Sequence, residues 1–232
     1  MNSKNSDIEQ LDTNQEDNYH EGNSRKSSKN TTSTFNKILI FITISSVLLC
    51  LYLIYLLNTK KNKSFLELAE SRFSLRHFSP KEIEPEKISK LLRVAQVAPT
   101  AENLQPQKIY IITKEDHKNK LKTVTKYTFN APMFILVCCD KNIAWKHKTE
   151  EYISTEIDGS LTIAHIILEA HELGLGSVVV RSFETQKIKD LFGIPDNMVP
   201  IALLPIGYPK EGAKPAKWHF NKKNIEEMVE YL

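Results

Sequence analysis

Apolar and polar positions divide this chain of 232 residues into stretches of different period. Residues 1–34 hold almost nothing to bury and are rich in Asn, Ser, Lys, Asp and Glu. Such a segment does not offset the entropy of ordering its backbone, which predicts a disordered polar tail. From Ile38 to Leu57 the chain reads ILIFITISSVLLCLYLIYLL, without a charge. At the α-helical rise a run of that length spans roughly 30 Å, the hydrocarbon thickness of a bilayer. Residues 35–58 are therefore expected to form a single transmembrane helix, with Tyr52 and Tyr55 toward one interface. A cleaved signal peptide is the competing reading and fits less well: the run starts late, is too long and lacks a small-residue cleavage site. Residues 59–64 follow as a short linker. Its Lys60, Lys61 and Lys63 stand against Lys37, Lys29, Lys26 and Arg25 on the other side, a balance that leans toward a cytosolic C-terminal region.

From residue 65 amphipathic helices alternate with short apolar strands. Phe65 to Arg72 reads as a helix with Ser64 as N-cap and Glu67 completing a capping box. Pro85 to Ala98 is a second, with proline in its first turn and Ile88, Leu91, Leu92 and Ala95 at helical spacing. Lys108 to Thr113 and Met133 to Cys139 read as buried strands. The longest helix of this region is expected over Ser154 to Leu173, closed by Gly174. Val178 to Val180 reads as a strand, Thr185 to Phe192 as a short helix, and Val199 to Gly207 as a strand. Pro200 and Pro205 place that last strand near an edge. With no repeats and no internal linker, residues 65–232 form one α+β domain.

Composition narrows the function classes. A net charge of +3 without a dense basic block gives no nucleic-acid surface. Three cysteines without C-x-x-C or Cys/His spacing give neither a disulfide framework nor a zinc site. Cys138 and Cys139 point to opposite faces of their strand and read as core filling. Unpaired cysteines fit a reducing compartment. The chain has no Walker loop, no G-x-G-x-x-G and no nucleophile motif. His165 and His171 are out of phase for a metal pair and read as packing or surface residues.

Three segments remain as candidate chemistry. If Arg72-Phe73-Ser74-Leu75-Arg76 is extended, Arg72, Ser74 and Arg76 share one face while Phe73 and Leu75 point into the core. Two guanidinium forks and a hydroxyl suit a phosphate, though alone they also read as a solvated basic edge. In the proline-pinned loop Ala98 to Pro106, Asn103 and Gln105 carry donors and acceptors suited to a flavin pyrimidine edge; turn-making is the alternative. The third is the long helix and the Leu173-Gly174-Leu175-Gly176 that follows it.

Together these segments resemble the nitroreductase family of flavoproteins. The likeness rests on four ordered motifs across residues 65 to 232: Arg72-x-Ser74-x-Arg76, the loop Ala98 to Pro106, Leu173 to Gly176, and Gly207-Tyr208-Pro209. It implies an α+β homodimer with a central, mostly antiparallel sheet flanked by helices, and FMN at the interface. Carried over by motif, the cofactor-binding set is Arg72, Phe73, Ser74, Arg76, Thr100, Asn103, Gln105, Arg181, Ser182 and Lys222. Arg72 and Arg76 would hold the phosphate and polar edge, Ser74 the phosphate or ribityl chain, and Asn103 the isoalloxazine ring. Two departures stand out. Lysines occupy the C-terminal stretch where arginine is common, which leaves Lys222 as the last phosphate contact, and Gln107 stands where many members have Trp.

The implied activity passes hydride from NADH or NADPH through FMN to an oxidised small-molecule acceptor such as a nitroaromatic or quinone, in ping-pong fashion. No catalytic side chain and no metal is needed. Alternatives are reductive dehalogenation of an aromatic on the same fold, as in iodotyrosine deiodinases, a flavin-binding protein without turnover, and a purely structural anchor protein. Trp145, in the polar stretch Lys141 to Glu151, is either part of a mobile lid over the flavin or an anchor for its loop. On the long helix Ile157, Leu161, Ala164, Ile167 and Leu168 make an apolar stripe, with Ile163, Ile166 and Ala170 on other sides, so a partner subunit is expected to cover it. The resulting protein is single-pass, with its catalytic domain in the cytosol and both anchors of the dimer in one membrane.

Overall fold

A computed structural model of the chain describes residues 34–55 and 64–232. The expected polar tail, except for residue 34, and most of the expected linker, with its lysines, lie outside the described residues. The chain divides between residues 62 and 63 into two compact units. In the first, helix α1 (Thr34–Tyr55) runs for 22 residues with a mean hydropathy of 2.6 in its most apolar stretch. It is long and apolar enough to cross a bilayer. Its hydroxyls turn back on the helix, Thr43 Oγ1 donating to the Ile40 carbonyl at 2.8 Å and Ser46 Oγ to that of Thr43 at 2.9 Å. Neither is left unsatisfied on an apolar surface.

The second unit opens with α2 (Phe65–Ser71), whose capping box is formed as expected by Ser64 and Glu67. Helix α3 (Pro85–Val97) follows, then β1 (Gln107–Ile112), α4 (Glu115–Leu121), β2 (Met133–Asp140), α5 (Thr155–Glu172), β3 (Gly176–Ser177), α6 (Thr185–Phe192) and β4 (Met198–Gly207). The sheet is antiparallel in the order β1-β2-β4-β3. Every residue of β2 is buried, because the sheet is covered on both faces. Met133, Ile135, Val137 and Cys139 face a core shared with α3 and α5. Phe134, Leu136 and Cys138 face a second core that takes in Leu75, Leu121, Val178, Val180 and Ile188. The adjacent cysteines thus do fill opposite cores, and burial pushes both thiols up to about 12.

Two expectations are corrected. Strand β4 is internal, lying between β2 and β3. Its prolines are tolerated for local reasons. Pro200 sits at a register shift, where Ala202 pairs Val137 and Pro200 pairs Cys138, leaving Ile201 outside the ladder. The Pro205 carbonyl accepts from Val178 N–H, so its missing donor faces the β3 side, where pairing is brief. The strand expected over Val178 to Val180 is correspondingly short: β3 pairs only Gly176 and Ser177, and Val180 adds an isolated bridge to Leu203.

Candidate functional site

Helix α5 organises the candidate residues, with one set at each of its ends. At its C-terminal end Leu173 closes the helix and Gly174 takes φ +74°, the left-handed cap that ends helices. The chain then turns into β3, and Ser177 bridges Ser74 while its carbonyl accepts from Leu75 N–H at 2.9 Å. This pairing holds 72–76 extended. Leu75 is buried at 1% exposure, and a Cβ added at Gly176 would lie 2.4 Å from Leu75 Cδ2. The last glycine of Leu-Gly-Leu-Gly is therefore required by close approach of the arginine segment.

Alternation places Arg72, Ser74 and Arg76 on the face opposite Leu75. All three are half-buried. Arg76 Nη1 donates to the Ser74 carbonyl at 3.2 Å and its guanidinium lies 5.7 Å from the Trp218 ring centre. Phe73 packs against the second core and meets His219 edge-on at 6.4 Å. Arg72 has neither an ion pair nor a side-chain hydrogen bond among the described residues, and burial lowers its pKa. The Ser74 hydroxyl is likewise unengaged. Trp218 and His219, which line this segment, were not singled out by the sequence. Lys222 is exposed in the tail beyond the 3-10 turn Lys217–Phe220.

At the N-terminal end of α5 lies the loop 98–106. It contains a 3-10 turn over Ala101–Asn103, and Glu102, Asn103 and Gln105 all have positive φ, at 51°, 55° and 51°. Such a backbone is costly for Glu and Gln. The loop is tied internally: Thr100 Oγ1 accepts from Gln105 N–H at 3.0 Å and Gln105 Nε2 donates to the Asn103 carbonyl at 3.2 Å. Thr100 and Gln105 thus shape the turn, leaving the Asn103 side chain without a partner among the described residues. Outside groups grip the loop, the Asp140 N–H donating to the Pro106 carbonyl at 2.8 Å and two side chains acting further in. Asp158 Oδ1 accepts from Ala101 N–H at 2.8 Å, and Trp145 Nε1 donates to Glu102 Oε1 at 3.0 Å.

Trp145 belongs to a small hairpin, with Lys146 bridging Ile153, and its ring meets His147 and Tyr152 at 5.7 and 6.2 Å. Arg181 and Ser182 are exposed after Val180. The Ser182 carbonyl accepts from Thr125 Oγ1 at 2.7 Å.

The two sets lie at opposite ends of α5, where Asp158 and Leu173 are about 22 Å apart along the helix axis. The apolar stripe of α5 does not face the sheet as a whole, although its Ile167 packs against the first core. Asp158, Gly159, Thr162, Ile163, Ile166 and Ala170 are buried instead, while Ile157 and Leu161 are 55% and 36% exposed. Gly207-Tyr208-Pro209, the fourth motif, is a bracket: Tyr208 OH donates to Glu84 Oε2 at 2.5 Å and accepts from Lys87 Nζ at 2.7 Å, which also donates to the Leu173 carbonyl.

Known proteins share the sequence and the fold of this domain. A family model described as the nitroreductase family matches residues 69–128 and 125–208. A protein of Methanothermobacter thermautotrophicus named NADH dehydrogenase/NAD(P)H nitroreductase is 31% identical over 153 residues, covering 63% of this chain and 78% of that protein. The crystal structure of a nitroreductase family protein from Clostridium difficile 630 superposes with a TM-score of 0.69 at 37% identity, over 73% of this chain and 98% of that one. A nitroreductase from Exiguobacterium sibiricum, solved in complex with FMN, shares the fold at a TM-score of 0.65 and 20% identity, over 73% and 98% of the two chains.

Proposed function

Because this chain belongs to the nitroreductase family, we propose that its domain is an NAD(P)H-dependent flavin oxidoreductase holding FMN between two copies of itself. Arg72 carries the reading. A half-buried guanidinium with no counter-ion among the described residues is costly to maintain, and an anion removes that cost. The FMN phosphate matches its forked donors. Ser74, whose hydroxyl has no partner among the described residues, would hold the phosphate or ribityl chain, and Phe73 backs the segment. Arg76 would stabilise negative charge at the polar edge of the ring system. Asn103 would bond the isoalloxazine ring from a loop shaped by Thr100 and Gln105. Arg181 and Ser182 would flank its edge, and Lys222 would complete the phosphate contacts. When bound, FMN supplies hydride transfer from reduced nicotinamide to an oxidised acceptor such as a nitroaromatic or quinone. The chain supplies placement and electrostatics.

The separation of the two residue sets along α5 favours a homodimer in which each cofactor takes the arginine segment of one chain and the Asn103 loop of the other. The exposed Ile157 and Leu161 offer the apolar surface for that contact. Helix α1 would anchor the protein in a membrane, with the domain in the cytosol where reduced nicotinamide is available. The full chain, solubilised in detergent, is expected to show a flavin absorbance band that NADH or NADPH bleaches. A colourless protein that takes up no added FMN overturns the proposal. Protease added outside intact cells should leave the domain whole, and its digestion would reverse the topology.

A further inference from the structure

The side chain that fixes the Asn103 loop is Asp158, one turn into α5 and fully buried. Its position follows from the residue after it. A Cβ on Gly159 would lie 2.6 Å from Ile201 Cγ1, so only glycine lets α5 press this closely on β4, and that approach delivers the Asp158 carboxylate beneath the loop. Its two oxygens are used separately. Oδ1 accepts from Ala101 N–H at 2.8 Å, and Oδ2 accepts from Ser154 Oγ at 2.6 Å. No cation pairs with it among the described residues. The positive end of the helix dipole favours the charge. A buried carboxylate without a cation is an expensive way to satisfy one backbone amide. That amide, however, begins a turn with three positive-φ residues, and strained backbone persists only where its surroundings over-determine it.

We propose that Asp158 is a positioning residue for the flavin site: through Ala101 N–H it holds the strained turn that presents the Asn103 amide. The inference rests on the flavin reading above. Asp158→Ala removes the hold. Ala101→Pro removes the same bond from the other side with little collateral strain. Ala101 opens the turn, where a proline fits, and Thr100 at φ −135° and ψ 158° already has the extended backbone that proline demands of its predecessor. Asp158→Asn keeps an oxygen for the amide and is the conservative rescue.

The test measures FMN dissociation constants for the full chain in detergent, with hydrogen exchange of the Leu104 and Gln105 amides in the FMN-free state. Asp158→Ala and Ala101→Pro should each weaken FMN at least about tenfold, Asp158→Asn should stay within about threefold of wild type, and the double variant should be no worse than the weaker-binding single one. Both disruptive variants should lose exchange protection at Leu104 and Gln105. Ile163→Ala, a buried change on the same helix that lowers stability, should leave FMN affinity within about threefold. Wild type that binds FMN while both disruptive variants bind it equally well overturns the positioning role and spares the flavin reading. Equal loss in Ile163→Ala reduces Asp158 to a stability residue and also overturns it. Wild type that binds no FMN sinks the flavin reading, and unchanged exchange in the variants then sinks the hold as well. If Asp158→Ala does not fold, Ala101→Pro alone decides.

Discussion

The two ends of α5 hold their candidate residues by different means. At the C-terminal end the arginine segment is fixed by backbone: Ser74 bridges Ser177, Leu75 N–H bonds the Ser177 carbonyl, and Leu75 is buried against Gly176. At the N-terminal end the Asn103 loop is fixed mainly by side chains, those of Asp158 and Trp145 from outside and that of Thr100 from within. A backbone hold tolerates change in most side chains and fails where space is tight. A side-chain hold can be undone one group at a time.

Gly176→Val should therefore have the largest effect. Its Cβ would stand 2.4 Å from Leu75 Cδ2 and 2.8 Å from Leu75 Cβ, so the arginine segment must move. Overpacking of this kind costs about 1–3 kcal/mol. The urea midpoint should fall and FMN should be lost together. A variant that keeps both would mean the segment has slack that the close approach denies.

Arg72→Ala comes next and separates charge from packing. Losing charge-assisted bonds of roughly 1.5–3 kcal/mol should weaken FMN at least tenfold while leaving the fold intact. The same variant tests the dimer. Neither Arg72→Ala nor Asn103→Ala chains alone should keep an intact site, yet in a heterodimer one site takes Arg72 and Asn103 from the two unmutated contributions. Random mixing should restore tight binding at about a quarter of sites. No restoration would place both sets in one chain's pocket.

This contrast also explains what was legible in the sequence. The capping box at Ser64, the glycine cap at Gly174 and the apolar run of β2 are local signals, and each appears where the chain predicts it. Arg72, Ser74 and Arg76 were legible because alternation alone puts them on one face. The internal position of β4 was not. Proline argues for an edge unless a register shift or a brief neighbour removes the need for its N–H, and both depend on distant strands. Asp158 was equally hidden, because its partner, Ala101 N–H, lies 57 positions away in the chain. So was the packing of Trp218 on Arg76, a contact made by the chain's last turns. On α5 the sequence showed an apolar circumference, but only the packed domain shows which side is open.

Trp145→Phe should be smaller than either, because it deletes one exposed hydrogen bond to Glu102 and keeps the ring packing against His147 and Tyr152. One such bond is worth about 0.5–1.5 kcal/mol at most. FMN affinity should therefore shift by no more than about tenfold, and by less if solvent replaces the bond. If Trp145 acts as a lid, Trp145→Ala should raise the KM for the acceptor while FMN content stays unchanged. If it only anchors the loop, FMN content and KM should change together.

The smallest effect is expected from acid, at the C-terminal end of α5. At the C-terminal end the Tyr208 hydroxyl and Lys81 bond Glu84 and hold its carboxyl at about 2, below its ordinary 4.5. The Glu84 side chain is 41% exposed, so the contribution is modest and screened by salt. Its sign is fixed by the direction of the shift. A carboxyl with a depressed folded pKa stabilises the fold in full above its unfolded value, and that contribution drains as pH falls from 4.5 toward 2. Glu84→Gln keeps an acceptor for Tyr208 but has no charge to lose. The thermal midpoint of wild type should exceed that of the variant at neutral pH, and the gap should close between 4.5 and 2. Hydrogen exchange should locate the loosening near Leu173 and Tyr208, where Lys87 ties the helix end to the bracket. A gap that stays constant with pH would mean that Glu84 acts only by geometry, and the electrostatic part of the bracket would have to be given up.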